Sequence, residues 1–184
     1  CPQPPAPQSA AARPYAAADA PLSERTPLSP DDSARPAVAV DALLDGLRCV
    51  LGDTCLLHRL AFAYRWNAAG PGAEAAEAEF DAQSRALGEA LDPIAEHIRL
   101  LGGAAFCDYS REAAPNEAFA SIGLLTTADM RRRLADGHRS ALLSVEAAMD
   151  VAHDFGDFAT LALLAHRATA HRRHIWRCET PLER

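Results

Sequence analysis

Four separate runs of this chain repeat apolar residues at the spacing of an α-helix, and no other sequence feature constrains the fold as strongly. Within each run an apolar side chain returns every three or four residues, which is typical of a helix with one buried face. The runs cover residues 38–66, 73–101, 126–155 and 157–175. The periodicity therefore predicts four long helices, and no run alternates with the period of two that a β-strand requires.

The repeating positions give each predicted helix one face that we expect to be buried. On the first two helices this face comprises Val40, Leu44, Leu47, Leu51, Cys55, His58 and Phe62, and then Phe80, Leu87, Leu91, Ile94, Ile98 and Leu101. On the last two it comprises Met130, Leu134, His138, Ala141, Val145, Ala148, Ala152 and Phe155, and then Leu161, Leu164, Ala168, His171 and Ile175.

Turn and capping residues mark the ends of these helices. The stop signals are Gly70-Pro71-Gly72, Gly102-Gly103 and Gly156, and the predicted N-caps are Thr126 or Thr127, with Asp129 in the first turn, and Asp157. The first two and the last two helices are thus joined by short turns, whereas the connection over residues 104–125 is long and has one predicted short helix near 117–121. This arrangement is the pattern of an all-α, ferritin-like four-helix bundle with a long crossover between helices two and three.

Proline usage divides the chain, because most of its 13 prolines precede residue 37. A segment rich in proline and alanine does not form a packed core easily. We therefore expect a flexible leader over residues 1–36, one bundle domain over 37–179 and a short tail over 180–184.

Charge, cysteine usage and hydropathy indicate which partners and which cellular location to expect. The net charge is −7 and the chain contains no lysine. Both features disfavour DNA as a partner, since nonspecific binding to DNA needs cations that neutralise phosphates. Five cysteines without a C-x-x-C spacing fit scattered thiols in a reducing compartment, which predicts a cytoplasmic protein. No apolar run is long enough to cross a bilayer, so no membrane association is expected.

The second predicted helix carries two pairs of carboxylates at neighbouring positions of a helix, Glu77 with Asp81 and Asp92 with Glu96. Glu77 and Asp92 are separated by roughly 22 Å of helix, at about 1.5 Å per residue, so the two pairs cannot bind one cation within a chain. If two copies of the helix cross antiparallel about a two-fold axis, each first pair faces the other chain's second pair. The alternative is that these are ordinary acids on a solvated face.

Arg65 continues the inward face of the first helix, beyond His58 and Phe62. An unpaired charge at such a position is costly, so Arg65 is expected to have carboxylates close to it.

Longer stretches of the chain resemble the Dps family, the DNA-protection-during-starvation proteins, which are small ferritins. The resemblance is carried by "YRWNAAGPGAEAAEAEFDAQSRALGEALDPIAEHIRLLGG", by "TTADMRRRLADGHRSALL" and by "GDFATLALLAHRATAHRRHIWRCE", and it covers most of residues 38–179. Its more specific features are Trp66-Asn67, Gly70 and the spacing to the carboxylates at 81, 92 and 96. The resemblance implies a dodecameric cage of four-helix subunits, built on two-fold dimers, that oxidises ferrous iron and stores the ferric mineral.

The resemblance also implies a ferroxidase centre shared by two-fold-related subunits, and this chain departs from it. In the family, histidines stand at the positions of Arg65 and Glu77, whereas Asp81, Asp92 and Glu96 match the remaining ligands. Imidazole suits iron as a ligand, but a guanidinium is always protonated and cannot coordinate a cation. We therefore predict that Arg65 forms a salt bridge that replaces the metal, with Trp66 and Asn67 in support and iron bound weakly or not at all.

Three hypotheses for the function follow from these residues. The first is a Dps-like subunit for iron storage and detoxification and for protection against oxidative stress, with a degenerate ferroxidase centre. The second is a structural cage subunit without ferroxidase activity, which assembles alone or with a paralogous Dps subunit that supplies the histidines. The third is an active ferroxidase that uses carboxylates. Whether the chain is an enzyme is left open by the sequence.

Histidines and arginines elsewhere allow further interpretations. His58 and His138 are expected to be hydrogen-bonded core or interface residues. The end of the fourth helix is basic, with His166, His171 and His174 beside Arg167, Arg172, Arg173 and Arg177. Three interpretations of this basic end are open: it complements the helix dipole, it lines a pore, or it binds an anion.

Overall fold

The computed structural model describes residues 30–106 and 122–181 of the chain. Within these ranges the protein forms four long helices and one short 3-10 turn, and it contains no strand. The helices are α1 (Pro30–Asn67), α2 (Ala73–Leu100), α3 (Thr127–Asp154) and α4 (Phe158–Glu179), and the turn covers Ile122–Leu124. The predicted all-α four-helix architecture is confirmed. The short helix expected near 117–121 and most of the expected leader lie outside the described residues.

The helix ends follow the capping residues closely, except at the start of α1. Thr126 caps α3 with its side chain accepting from the Asp129 amide, while the Asp129 carboxylate accepts from the Thr126 amide. Asp157 caps α4 by accepting from the amide of Thr160. By contrast, α1 begins at Pro30 and not near Val38. Proline is well tolerated at the first helical position because the amide that it lacks would have no intrahelical partner there.

The helices pack as two antiparallel pairs. α1 packs mainly against α2 and α3, and α4 packs mainly against α3, while the backbones of α2 and α4 approach each other at few points. α1 and α3 lie close together at Gly46, where an added Cβ would lie 3.1 Å from Ala148 Cβ. The bundle is therefore tight between α1 and α3 and open between α2 and α4.

Two apolar clusters form the core, one around Leu47, Ile94 and Val145 and the other around Tyr64 and Phe80. Most predicted inward positions are buried, but three of them are substantially exposed: Val40 (38 %), Phe62 (38 %) and Phe155 (51 %).

On α4 the predicted inward face is partly wrong. Leu161 and Ile175 are only half-buried, whereas the polar residues Arg167 and His174 are buried. The face that points inward on this helix is thus rotated toward its basic residues.

Two further expectations concern the membrane and the cysteines. None of the helices in the described part of the chain combines the length and apolar character that crossing a bilayer requires. Cys178 carries a free thiol, as expected, but Cys55 is disulfide-bonded. The expectation of scattered thiols is therefore wrong for Cys55.

Candidate functional site

The last turn of α1 and the third turn of α2 bring Arg65 and Asp81 together. Arg65 Nη1 lies 2.6 Å from Asp81 Oδ1, and Arg85 Nη2, one turn further along α2, lies 2.5 Å from Asp81 Oδ2. The hydrogen bond from Arg65, reinforced by Arg85, holds the pKa of Asp81 below its ordinary value. Both oxygens of this carboxylate are therefore engaged by guanidinium groups.

An aromatic edge lies beside this ion pair. The Arg65 guanidinium is 5.1 Å from the centre of the Phe62 ring, and Phe62 meets Trp66 edge to face with ring centres 4.5 Å apart. Trp66 is 66 % exposed, and Asn67 donates to the carbonyl of Ala63 in its own helix. Exposed aromatic surface of this kind is typical of a surface that another chain covers.

The other three predicted carboxylates do not join the pair within one chain. Glu77, Asp92 and Glu96 are exposed, and none of them forms an ion pair within the described residues. Asp92 and Glu96 line a shallow depression together with Arg99. In the described ranges no group of three His, Cys, Asp or Glu side chains is arranged to hold a metal ion. The structure thus joins Arg65 to Asp81 and leaves the remaining acids facing outward.

The donor set around Asp81 does not suit iron. A guanidinium offers only donors, so Arg65 contributes no lone pair to a cation and adds a positive charge instead. The Nε atom of Arg65 is buried without a partner among the described residues, and as an N–H donor it has no lone pair for a cation either. The arrangement can therefore hold two helices together more readily than it can bind ferrous iron.

A second polar cluster inside the bundle was not predicted as a unit from the sequence. His138 of α3 contacts His171 of α4, with their Nδ1 atoms 2.9 Å apart, and its Nε2 lies 3.0 Å from Gln83 Oε1 of α2. The ring of His138 also stacks on that of His174 at 4.9 Å. Because the amide oxygen of Gln83 only accepts, His138 donates from Nε2, and with neutral rings its Nδ1 accepts from the Nδ1–H of His171.

Burial fixes this neutral state. Burial, together with neighbouring positive groups, lowers the pKa of His138 to about 2, that of His171 to about 3 and that of His174 to about 4. The network continues through the Gln83 side-chain amide, which donates to Glu79 Oε1 at 3.1 Å and to Cys178 Sγ at 3.3 Å. His138 is therefore a hydrogen-bonded core histidine, as the sequence indicated.

His58 has a structural role as well. Its Nδ1 donates to the Ser84 carbonyl at 2.8 Å, which joins the last third of α1 to the middle of α2. The two helices are close at this point, since a Cβ added at Gly88 would lie 3.2 Å from His58 Cε1.

Comparisons with known proteins agree with this architecture. The family model of the ferritin-like domain matches residues 44–184. Among solved structures, Dps from Thermosynechococcus elongatus has a TM-score of 0.69 at 20% identity, covering 79% of this chain and 92% of that one. DpsC from Streptomyces coelicolor has a TM-score of 0.64 at 24% identity, covering 80% and 90%.

A third solved structure describes its own wider group. The Dps protein from Vibrio cholerae, described as a member of a superfamily of ferritin-like diiron-carboxylate proteins, has a TM-score of 0.63 at 18% identity and covers 77% of this chain and 89% of its own. No curated protein matches the chain significantly. At these identities the structural likeness concerns the fold.

Proposed function

Because the chain belongs to the ferritin-like domain family and has the fold of the Dps structures, we propose that it is a cage subunit for iron storage whose own ferroxidase centre is degenerate. In this proposal the cage protects against oxidative stress by enclosing iron. Oxidation of ferrous iron at the site between subunits is slow or absent.

The contact between Arg65 and Asp81 is the observation on which this proposal depends. The resemblance to Dps proteins puts a histidine ligand at the position of Arg65, and here that position carries a guanidinium 2.6 Å from a carboxylate that would otherwise bind metal. Coordination of iron by Asp81 requires this ion pair to break, together with the one to Arg85. We therefore expect the site around Asp81 to bind iron weakly.

Assembly is the second part of the proposal. The exposed Trp66 and Phe62 give the outer face of α1 an apolar patch beside the ion pair, and Asp92 and Glu96 remain open on α2. A two-fold-related copy of α2 would bring its own acids to Arg65 and cover the aromatic edge. Twelve such chains form a cage of about 235 kDa, twelve times 19.6 kDa.

Restoring the two imidazoles tests the proposal directly. We expect the double variant Arg65→His, Glu77→His to oxidise ferrous iron about tenfold faster than the wild type, or more, because changes around metal ligands typically alter affinity or activity by that much. Ferric absorbance is followed after addition of ferrous iron to the metal-free cage, with oxygen alone and with peroxide.

The matched control is Arg85→His, Glu77→His. It also removes one guanidinium from Asp81 and adds two imidazoles, but Arg85 is exposed on α2 and does not come from the facing helix. Its rate should stay near that of the wild type. Rapid, stoichiometric oxidation by the wild type itself would contradict the proposal and favour a carboxylate ferroxidase.

A structural role in a mixed cage is the second candidate. The outward-facing Glu77, Asp92 and Glu96 favour it, since a paralogous subunit with histidines would complete a site that this chain leaves open. Native mass spectrometry of cages purified from the protein's own host distinguishes the candidates, because a mixed cage gives masses that are not multiples of one chain.

DNA and cellular location stay predictions. The acidic net charge of −7 disfavours DNA as a partner, which a mobility-shift assay at low salt checks. We propose a cytoplasmic location. Among the described cysteines, Cys55 forms a disulfide, a bond that is more common in oxidising compartments.

A further inference from the structure

An open groove of about 350 Å³ lies between α2 and α4. It exists because the wall formed by α2 consists largely of small residues, Ala82, Ala86 and Ala90, which leave space opposite the long side chains of α4. The groove is separate from the Arg65–Asp81 pair, which lies between α1 and α2.

The groove is lined by cations on one side. These cations are Arg167, Arg173 and Arg177 of α4, and the neutral His174 and the exposed His166 line the groove beside them. Among the described residues that line it, Glu89 of α2 is the one carboxylate, and it is exposed. The groove therefore has a local excess of positive charge in a protein whose net charge is negative.

Arg167 is a buried cation of this groove that has no ion-pair partner among the described residues. Its side chain is only 4% exposed, and its Nε and Nη2 atoms are buried without any hydrogen-bond partner. Within the described part of the chain it forms no ion pair, in contrast to Arg131, which is similarly enclosed but pairs with Glu79 at 3.0 Å. A buried guanidinium without an anion is costly, since charges removed from water are normally paired.

A second buried group beside Arg167 also lacks a partner. His174 is 5% exposed, and its Nδ1 atom makes no hydrogen bond to any residue that the structure describes. An imidazole and a guanidinium that face one groove offer several N–H donors to an oxyanion, and guanidinium groups match the geometry of phosphate oxygens well.

We propose that the groove between α2 and α4 binds a phosphate group, as inorganic phosphate or as the end of a small phosphomonoester, with Arg167 as its main ligand. Arg173 and Arg177 at the rim attract the anion, and His174 donates a further hydrogen bond. This site is independent of the proposed iron-storage role, because it needs neither iron nor the contact between α1 and α2.

Calorimetric titration of the metal-free, assembled protein tests the site, with inorganic phosphate in one arm and glycerol phosphate in the other, at ionic strength fixed with chloride. We expect saturable binding of one anion per chain. Arg167→Met should weaken it about tenfold or more, as expected for the loss of charge-assisted hydrogen bonds. Tighter binding in the glycerol phosphate arm would identify a monoester as the ligand, and tighter binding in the other arm would identify free phosphate.

The matched control is Arg172→Met. It removes the same charge from the neighbouring position of α4, but Arg172 is exposed and pairs with Glu146 of α3 at 2.8 Å, away from the groove. Its affinity for phosphate should stay within about twofold of the wild type, since only a screened surface charge is lost. Equal effects of the two variants, or no saturable binding by the wild type, would overturn the proposal.

A second pair of variants keeps the test valid if Arg167→Met does not fold. Glu89→Gln removes the negative charge from the groove and should tighten phosphate binding a few-fold, whereas Glu74→Gln, exposed in the first turn of α2, should leave it unchanged. No difference between these two variants would count against an anion in the groove.

Discussion

Arg65 and Arg85 contact the same carboxylate from different helices, and this difference gives them different roles. Arg65 reaches Asp81 from α1 and is 30% exposed, whereas Arg85 reaches it from the next turn of α2 and is 70% exposed. An exposed pair within one helix contributes little because water screens it. We therefore expect removal of Arg65 to be more destabilising than removal of Arg85, above all where a second chain covers the ion pair.

Arg65→Ala should weaken the contact between subunits. We expect the dissociation constant of the dimer to rise about tenfold or more, because removing one partner of an enclosed charge pair leaves the other carboxylates uncompensated. Sedimentation velocity over a range of protein concentrations measures this constant. Arg85→Ala serves as the control and should change it little, and a dimer of wild-type strength in Arg65→Ala would contradict the arrangement.

At the residue scale, the sequence indicated part of the candidate site. The position of Arg65 on a buried face predicted a nearby carboxylate, and the structure places Asp81 against it. Which carboxylate it would be did not follow from spacing, because Glu77 lies one turn away on the same helix. The choice depends on how α1 and α2 are aligned, and this alignment is a property of their packing.

At the scale of helices, the ends were predictable where a local motif determines them. The capping box of Thr126 and Asp129 and the Asp157 cap act through side-chain bonds to amides three residues away, so the sequence contains the whole interaction. The buried face of α4 was less predictable. Arg167 and His174 are polar, and they lie opposite small alanines of α2 that line the groove. Their burial therefore depends on how α2 and α4 pack, and the sequence of α4 alone does not show this.

Two glycines of α1 should respond oppositely to substitution by alanine. At Gly52 an added Cβ meets nothing within 4 Å, so Gly52→Ala should raise the free energy of unfolding by about 0.5–1 kcal/mol through helix propensity. At Gly46 the Cβ would lie 3.1 Å from Ala148 Cβ and 3.4 Å from its Cα, so α1 and α3 must move apart.

We therefore expect Gly46→Ala to be less stable than Gly52→Ala by about 1 kcal/mol or more, since overpacking a tight contact is destabilising. Urea denaturation of the two variants at one protein concentration measures the difference. Equal stabilisation by both would show that the α1–α3 contact relaxes freely.

At the scale of the whole molecule, the buried histidines make stability depend on pH. His138, His171 and His174 are neutral in the folded protein because burial lowers their pKa values to between about 2 and about 4, whereas in the unfolded chain they titrate near 6.5. The unfolded state therefore binds more protons below about pH 6.5. The histidine contribution is fully present above that pH and is lost as the pH falls toward the folded values.

Between pH 7 and pH 5.5 we expect a loss of about 1 kcal/mol for each histidine, or about 3 kcal/mol in all. The aspartates with lowered pKa values, such as Asp129, contribute only at lower pH because their unfolded pKa lies near 3.8. Urea denaturation in phosphate-free buffers measures the dependence. His174→Gln should reduce it by about a third, while His166→Gln, exposed on α4, should not, and a flat profile would contradict a neutral buried cluster.

The bond from His58 to the Ser84 carbonyl has a consequence for how chains of this kind can vary in length. Because this bond aligns α1 with α2 about two turns before Arg65, we expect the reach of Arg65 toward Asp81 to depend little on the number of residues in the turn over 68–72. Insertions or deletions there are expected to be neutral in evolution, whereas a residue inserted between His58 and Arg65 would turn the guanidinium away from α2 by about 100°.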